Sequence, residues 1–235
     1  MLVVENLSVS LDGFALQADL SLAPGRRVAV IGPSGAGKSM LLDVIAGFRA
    51  PDRGRVLWQG RDLTALPPQE RPVSMLFQDQ NLFPHLSVTR NLWLALRPDG
   101  GKPDPAQQTR VAQALERMGL GGMGERKPAE LSGGQQARAA LARVLLQARP
   151  IILLDEPFAA LGPALRAEML EQVRAVAQEA GALTLLVSHD PTDARGFAEE
   201  VVFVEAGQVQ APVETAALFD NPPEALRAYL GDSGA

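Results

Sequence analysis

Val28-Ala29-Val30-Ile31-Gly32-Pro33-Ser34-Gly35-Ala36-Gly37-Lys38-Ser39 decides how the rest of this chain is read. Four apolar residues predict a buried strand. A glycine-rich turn follows, and Met40-Leu41-Leu42-Asp43-Val44-Ile45-Ala46 then predicts a helix that Gly47 stops. Gly-x-x-x-x-Gly-Lys-Ser between a strand and a helix is the phosphate-binding P-loop. Each residue type has a reason. Glycines let the backbone turn its N–H groups inward around phosphate, and the helix N-terminus adds a positive dipole end. Lys38 places a point charge near the β- and γ-phosphates, and Ser39 offers a hydroxyl to Mg²⁺. The candidate nucleotide contacts are therefore Gly32, Pro33, Ser34, Gly35, Ala36, Gly37, Lys38 and Ser39, with Met40 behind them.

Outward from this loop, buried strands alternate with helices. Ile151 to Asp155 reads as a second strand and Leu183 to Ser188 as a third. A helix between them opens at Pro163 and ends at Gly181. Such alternation predicts an α/β fold with a parallel sheet flanked by helices. The first ~60 residues hold short strand-like runs broken by glycine, such as Arg55 to Gly60, which predict antiparallel strands at the sheet edge. From Leu86 to Leu146 the pattern is helical. The expected organisation is one domain over 1–235, with a core and β subdomain over 1–85 and 150–235 and a helical insertion over 86–149.

Composition narrows the classes. The chain has 235 residues, 46% of them hydrophobic, enough to bury a sizeable core. No segment reaches the ~18 consecutive apolar residues of a membrane span. The N-terminal Met1-Leu2-Val3-Val4-Glu5 lacks a basic segment and an apolar signal core, which argues against secretion. There is no cysteine, so disulfides and thiolate metal sites are excluded. A formal charge of −5 gives no bulk attraction to nucleic acid or anionic lipid. Membrane attachment is expected to go through a protein.

A P-loop alone leaves kinases, GTPases, helicases and transport ATPases open. Asp155 and Glu156, at the end of an apolar strand, narrow the field. Asp155 is placed to reach Mg²⁺, and Glu156 to act as base on an attacking water. Leu131-Ser132-Gly133-Gly134-Gln135 narrows it further. Locally, Ser132 and Gln135 form a capping box that opens a helix through Leu146. The same helix N-terminus is an anion site. With the P-loop on one side of the nucleotide, a second phosphate site implies a pocket shared by two copies.

These motifs resemble those of the ATP-binding-cassette ATPases over essentially the whole chain. Leu131 to Gln135 matches that family's signature letter for letter, and the other landmarks follow in order. The resemblance implies that Phe14 stacks on adenine and that Gln78 senses Mg²⁺ and the membrane subunit. It implies Ser39, Gln78 and Asp155 at the metal, Glu156 and His189 as the catalytic pair, and Ser132, Gly133, Gly134 and Gln135 reaching the opposite copy's nucleotide. Read alone, His189 could instead cap a helix starting at Pro191. One departure stands out: Ala159-Ala160-Leu161-Gly162 replaces the family's usual Ser-Ala-Leu-Asp, which puts coupling between the two sites in doubt. Ala137 also stands where glutamine is usual.

Arg71 to Gln78, followed by Asn81 to Val88, together with the short length, most resembles the thiamine importer ATPases. Those of iron(III) and polyamine importers come next but usually carry an added C-terminal β-domain, whereas only about 25 residues follow Val209 here. The resemblance implies a homodimeric ATPase using ATP and Mg²⁺. It also implies permease subunits docked near Gln78, a periplasmic or surface solute-binding protein, and a peripheral place on the cytoplasmic face of a bacterial inner membrane. Cassette ATPases of DNA repair or translation generally carry two cassettes or a long coiled coil, and neither pattern is present.

Overall fold

The computed structural model describes residues 1–78 and 82–230. Asp79 and Asn81, which belong to the motif stretches around Gln78, lie outside the described residues. The chain runs β1 (Leu2–Leu11), β2 (Phe14–Leu22), β3 (Arg27–Ile31), α1 (Lys38–Ala46), β4 (Arg53–Trp58), β5 (Arg61–Asp62) and β6 (Val73–Leu76). Next come α2 (Val88–Leu96), α3 (Pro105–Arg117), α4 (Gly133–Leu146), β7 (Ile151–Asp155), α5 (Pro163–Ala180), β8 (Leu183–Val187) and α6 (Pro191–Phe197). It ends with β9 (Glu200–Glu205), β10 (Gln208–Val209), β11 (Val213–Glu214), α7 (Thr215–Asp220) and α8 (Glu224–Leu230).

The strand order is β5-β4-β1-β2-β10-β9-β3-β8-β7-β6, with β11 beside β9. The run β6-β7-β8-β3-β9 is parallel throughout. Its strands β3, β7 and β8 are buried along nearly their whole length, as expected where helices cover both faces. The end carrying β1, β2, β4 and β5 pairs antiparallel. There β2 alternates, with Leu16, Ala18, Leu20 and Leu22 turned inward. Short β10 joins the halves, parallel to β2 and antiparallel to β9.

Among the described residues, three apolar clusters fill the layers. The first packs α1 between the antiparallel strands and the parallel sheet. The second joins the helices α2 to α4 to the opposite sheet face through Leu154, Phe158 and Met169. The third lies under α6, α7 and α8, with Ile31, Phe203 and Leu226 at its centre. Arg71 crosses from the β6 side to α1 and is 2% exposed. Its guanidinium donates to the carbonyls of Val44 and Ile45 at the end of α1, and to those of Thr64 and Leu66. A cation at a helix C-terminus is favoured by the dipole, and the four carbonyls satisfy its buried donors.

Candidate nucleotide-binding site

Parallel pairing brings the key segments to one edge. Val30 lies opposite Val187, Val187 opposite Asp155, and Leu154 opposite Leu76. The P-loop therefore leaves β3 beside the loop of Ser188 and His189, next to the carboxylates ending β7 and Gln78 beyond β6. Ligands of open α/β sheets bind at this C-terminal edge.

The loop's backbone accounts for its glycines. Gly32 has φ 149°, and a Cβ there would lie 1.9 Å from the Val204 carbonyl oxygen. Gly37 caps α1 at φ 106° without a side-chain acceptor, so no side chain competes for the first amides. Pro33, Ser34, Gly35 and Ser39 are exposed, Met40 is half-buried, and Ala36 is buried. Lys38 is 6% exposed, and its Nζ donates to the carbonyls of Gly32 and Pro33, both at 2.8 Å. Burial holds this amine below the ordinary lysine pKa, while Glu156 and Asp155 pull it back upward. A buried cation in a glycine-rich loop at a helix N-terminus is a receptor for anionic oxygen.

Ser39 Oγ donates to Asp155 Oδ1 at 3.0 Å. His189 Nδ1 lies 3.2 Å from Glu156 Oε2. Glu156 has φ 45°, a left-handed conformation uncommon outside glycine. Strain of this kind persists where surrounding bonds enforce it; here the Glu156 N–H donates to the Val187 carbonyl at 3.2 Å.

His189 does not cap α6. Asp190 does, its side chain accepting from the Thr192 N–H at 2.9 Å. The alternative reading of His189 is thereby corrected: the shorter Asp190 side chain reaches the second helical amide, as Asx residues do at caps. Sequence reasoning also missed the brace behind this loop. Ser188 Oγ donates to Asp193 Oδ2 at 2.7 Å, and Arg166 from α5 donates to Ser188 Oγ at 3.1 Å. Arg166 also pairs with Asp193 and, at 3.5 Å, with Asp190. The Asp-x-x-Asp spacing at the start of α6 carried a signal, but its arginine comes from another helix.

The remaining candidates take three positions. Phe14 opens β2 half-exposed, and a Cβ on Gly37 would lie 3.2 Å from its Cε1, so the ring rests against the P-loop. Gln78 is exposed, two residues past β6. Ser132 caps α4 in a reciprocal capping box with Gln135, and Ser132, Gly133, Gly134 and Gln135 are exposed or half-exposed. Gly134 is close to Leu165, 2.6 Å from where its Cβ would sit. Beside β6 a groove of about 750 Å³ is lined by Phe48, Met75, Phe77, Phe83, Leu94 and Arg143.

A glycine-rich loop with its lysine, a strand-end carboxylate pair and a histidine, all at one parallel-sheet edge, define a P-loop ATPase. The chain belongs to the ABC transporter family, which matches residues 16–159, and it is an ATPase of that family. It is 60% identical over 231 residues to the thiamine import ATP-binding protein ThiQ of Cereibacter sphaeroides, covering 98% of this chain and 100% of that one. It is 57% identical to the ThiQ of Ruegeria sp. strain TM1040 over the same shares. The ThiQ of Yersinia pseudotuberculosis is 47% identical over 94% of this chain and 93% of its own. Among solved structures, the ATP-binding cassette MJ0796, in a dimeric post-hydrolysis state bound to ADP and Pi, superposes with a TM-score of 0.79. Identity there is 28%, covering 92% of this chain and 99% of that one.

Proposed function

We propose that this chain is the ATP-hydrolysing subunit of an importer for thiamine or its phosphates. The solute follows from the names of the ThiQ relatives, which align along nearly the full length of both chains. The hydrolytic reading is carried by one observation: Lys38, Ser39, Asp155, Glu156 and His189 are linked at the ends of adjacent strands.

The chemistry follows from those contacts. Phosphate beside Lys38 favours the charged amine that burial disfavours. Phe14 offers an aromatic face to adenine at the loop's edge. Mg²⁺, when bound, offsets charge on the β- and γ-phosphates and orients them. Ser39 and Asp155 would hold it, with Gln78 approaching from β6. Ser39 Oγ and Asp155 Oδ1 already converge. Among the described residues no three His, Asp or Glu side chains form a metal cluster of their own, and such a sparse donor set suits Mg²⁺, which takes most other positions from phosphate and water. Glu156 accepts the proton of an attacking water. His189, 3.2 Å from the Glu156 carboxylate, would contact the γ-phosphate.

Ser132, Gly133, Gly134 and Gln135 would act on a second copy's nucleotide in a head-to-tail dimer; that the MJ0796 cassette is dimeric supports a two-copy assembly. No helix among the described residues is long and apolar enough to cross a membrane. The groove holding Phe48 and Phe83, 55% and 45% exposed, would receive a permease segment. The subunit would then sit on the cytoplasmic face of the inner membrane, served by a solute-binding protein.

Glu156→Gln tests the mechanism. It should lower steady-state hydrolysis by about 10²–10⁴-fold, retain ATP binding, and accumulate an ATP-bound dimer. Normal turnover would remove Glu156 from the base role. Uptake of labelled thiamine by a strain lacking this chain, restored by the wild type but not by Glu156→Gln, tests the solute. Restoration of iron or polyamine uptake instead would replace thiamine and leave the ATPase intact.

A further inference from the structure

Tyr229 is the chain's only tyrosine. It lies on α8, and its hydroxyl donates to the backbone carbonyl of His189 at 2.7 Å, bridging 40 residues of sequence. The reach is set by packing. Leu226, three residues earlier and so on the same helix face, is fully buried with Ala29, Ile31, Phe203 and Leu218. The Tyr229 ring meets Phe203 at 6.2 Å between centroids. Ile31 is the residue before the P-loop, so α8 is seated on the strand that carries the phosphate cradle.

The loop leaving β8 is fixed residue by residue. Ser188 is held by Asp193 and Arg166. Asp190 is held by its cap on α6. His189 has an exposed imidazole, 51% accessible, directed at Glu156; its main chain is anchored by Tyr229. We infer that Tyr229 is a positioning residue for ATP hydrolysis, fixing the His189 main chain so that the imidazole keeps its place beside Glu156. This rests on the proposed hydrolytic role of His189.

The test is Tyr229→Phe in the full-length chain, with His189→Ala measured alongside. Phenylalanine keeps the packing on Phe203 and removes only the hydroxyl. Loss of the hydroxyl, which bonds the His189 carbonyl and also meets the Gly32 backbone at the start of the P-loop, should lower kcat about fivefold, with a smaller effect on KM for ATP. Tm should stay within about 2 °C of wild type. Tyr229→Leu, which also removes the ring, should lower both kcat and Tm. Wild-type kcat in Tyr229→Phe would overturn the inference. So would a kcat loss accompanied by an equal or larger rise in KM and a matching fall in Tm, which marks a merely structural contact. If His189→Ala hydrolyses ATP normally, the hydrolytic reading of the loop fails. If His189→Ala is inactive while Tyr229→Phe is unimpaired, only the positioning role fails.

Discussion

Ser39 Oγ donates to Asp155 Oδ1 at 3.0 Å, tying the first turn of α1 to the end of β7. That carboxylate sits at a cost. Burial raises its pKa above 3.8, and neighbouring Glu156 and Asp43 add to the rise against the Ser39 bond and Lys38. The folded state thus holds the Asp155 proton more tightly than the unfolded state. Stability falls as pH rises from 3.8 through the raised native value, and the cost is complete once the native group is ionised. Asp155→Asn keeps an acceptor for Ser39 and removes the charge. It should raise Tm at pH 7, the gain shrinking as pH is lowered towards 3.8, while Mg²⁺-dependent hydrolysis is lost. Thermal melts across that range check it; an unchanged or lower Tm at pH 7 would refute the electrostatic cost.

The brace under the His189 loop makes the opposite prediction. Arg166 and Asp193 side chains are only 16% and 10% exposed, and they share Ser188. Removing one member leaves a buried charge unpaired, which costs about 3–5 kcal/mol. Arg166→Met should therefore lower stability by that order in urea titrations. Arg166→Met with Asp193→Leu should be milder than Arg166→Met alone, because no deeply buried charge is left unpaired; Asp190, which also loses Arg166, is 35% exposed and stays solvated. A double variant at least as unstable as the sum of the singles would show that the groups do not act as a pair.

Much of this was legible because the signals were local. The P-loop, its helix and the capping box of Ser132 and Gln135 depend on residues a few positions apart, and each formed as its pattern predicts. The parallel core was legible because strands buried on both faces read as unbroken apolar runs. Arg71, Arg166 and Tyr229 were not legible. Their partners are remote in sequence: Tyr229 reaches His189, Arg166 reaches Ser188, and Arg71 reaches Val44. Pairing at that separation is set by which strands become neighbours, and no local pattern records it. His189 shows the boundary, since its cap alternative yielded only when Asp190 was seen to hold α6.

Gly162 stands where the family resemblance expects aspartate, and the fold leaves room for one. It caps α5 at φ −65° and ψ 156°, a conformation open to any residue, with no side-chain bond to the helix. A Cβ there meets nothing within 4 Å. Gly162→Asp should supply a cap and restrict the unfolded chain, together worth about 1 kcal/mol. Tm should then rise by about 2–4 °C. If the aspartate also links the two nucleotide sites, the Hill coefficient for ATP hydrolysis should increase. A higher Tm with an unchanged Hill coefficient would assign the position to helix capping alone.

Ser132 carries two roles that substitutions can separate. Its hydroxyl accepts from the Gln135 N–H at 3.3 Å, and the residue is exposed at the N-terminus of α4. Ser132→Ala removes the cap and should cost about 1 kcal/mol. Ser132→Arg removes the same cap, so its effect on stability should be similar. In a shared site, however, it drives a long cation into the space of the opposite copy's phosphates. Ser132→Arg should abolish hydrolysis while the isolated chain still binds ATP through Lys38. Turnover by Ser132→Ala separates loss of the cap from loss of the interface. Wild-type turnover in Ser132→Arg would mean that each chain hydrolyses ATP without the other's α4, and the head-to-tail dimer would have to be abandoned.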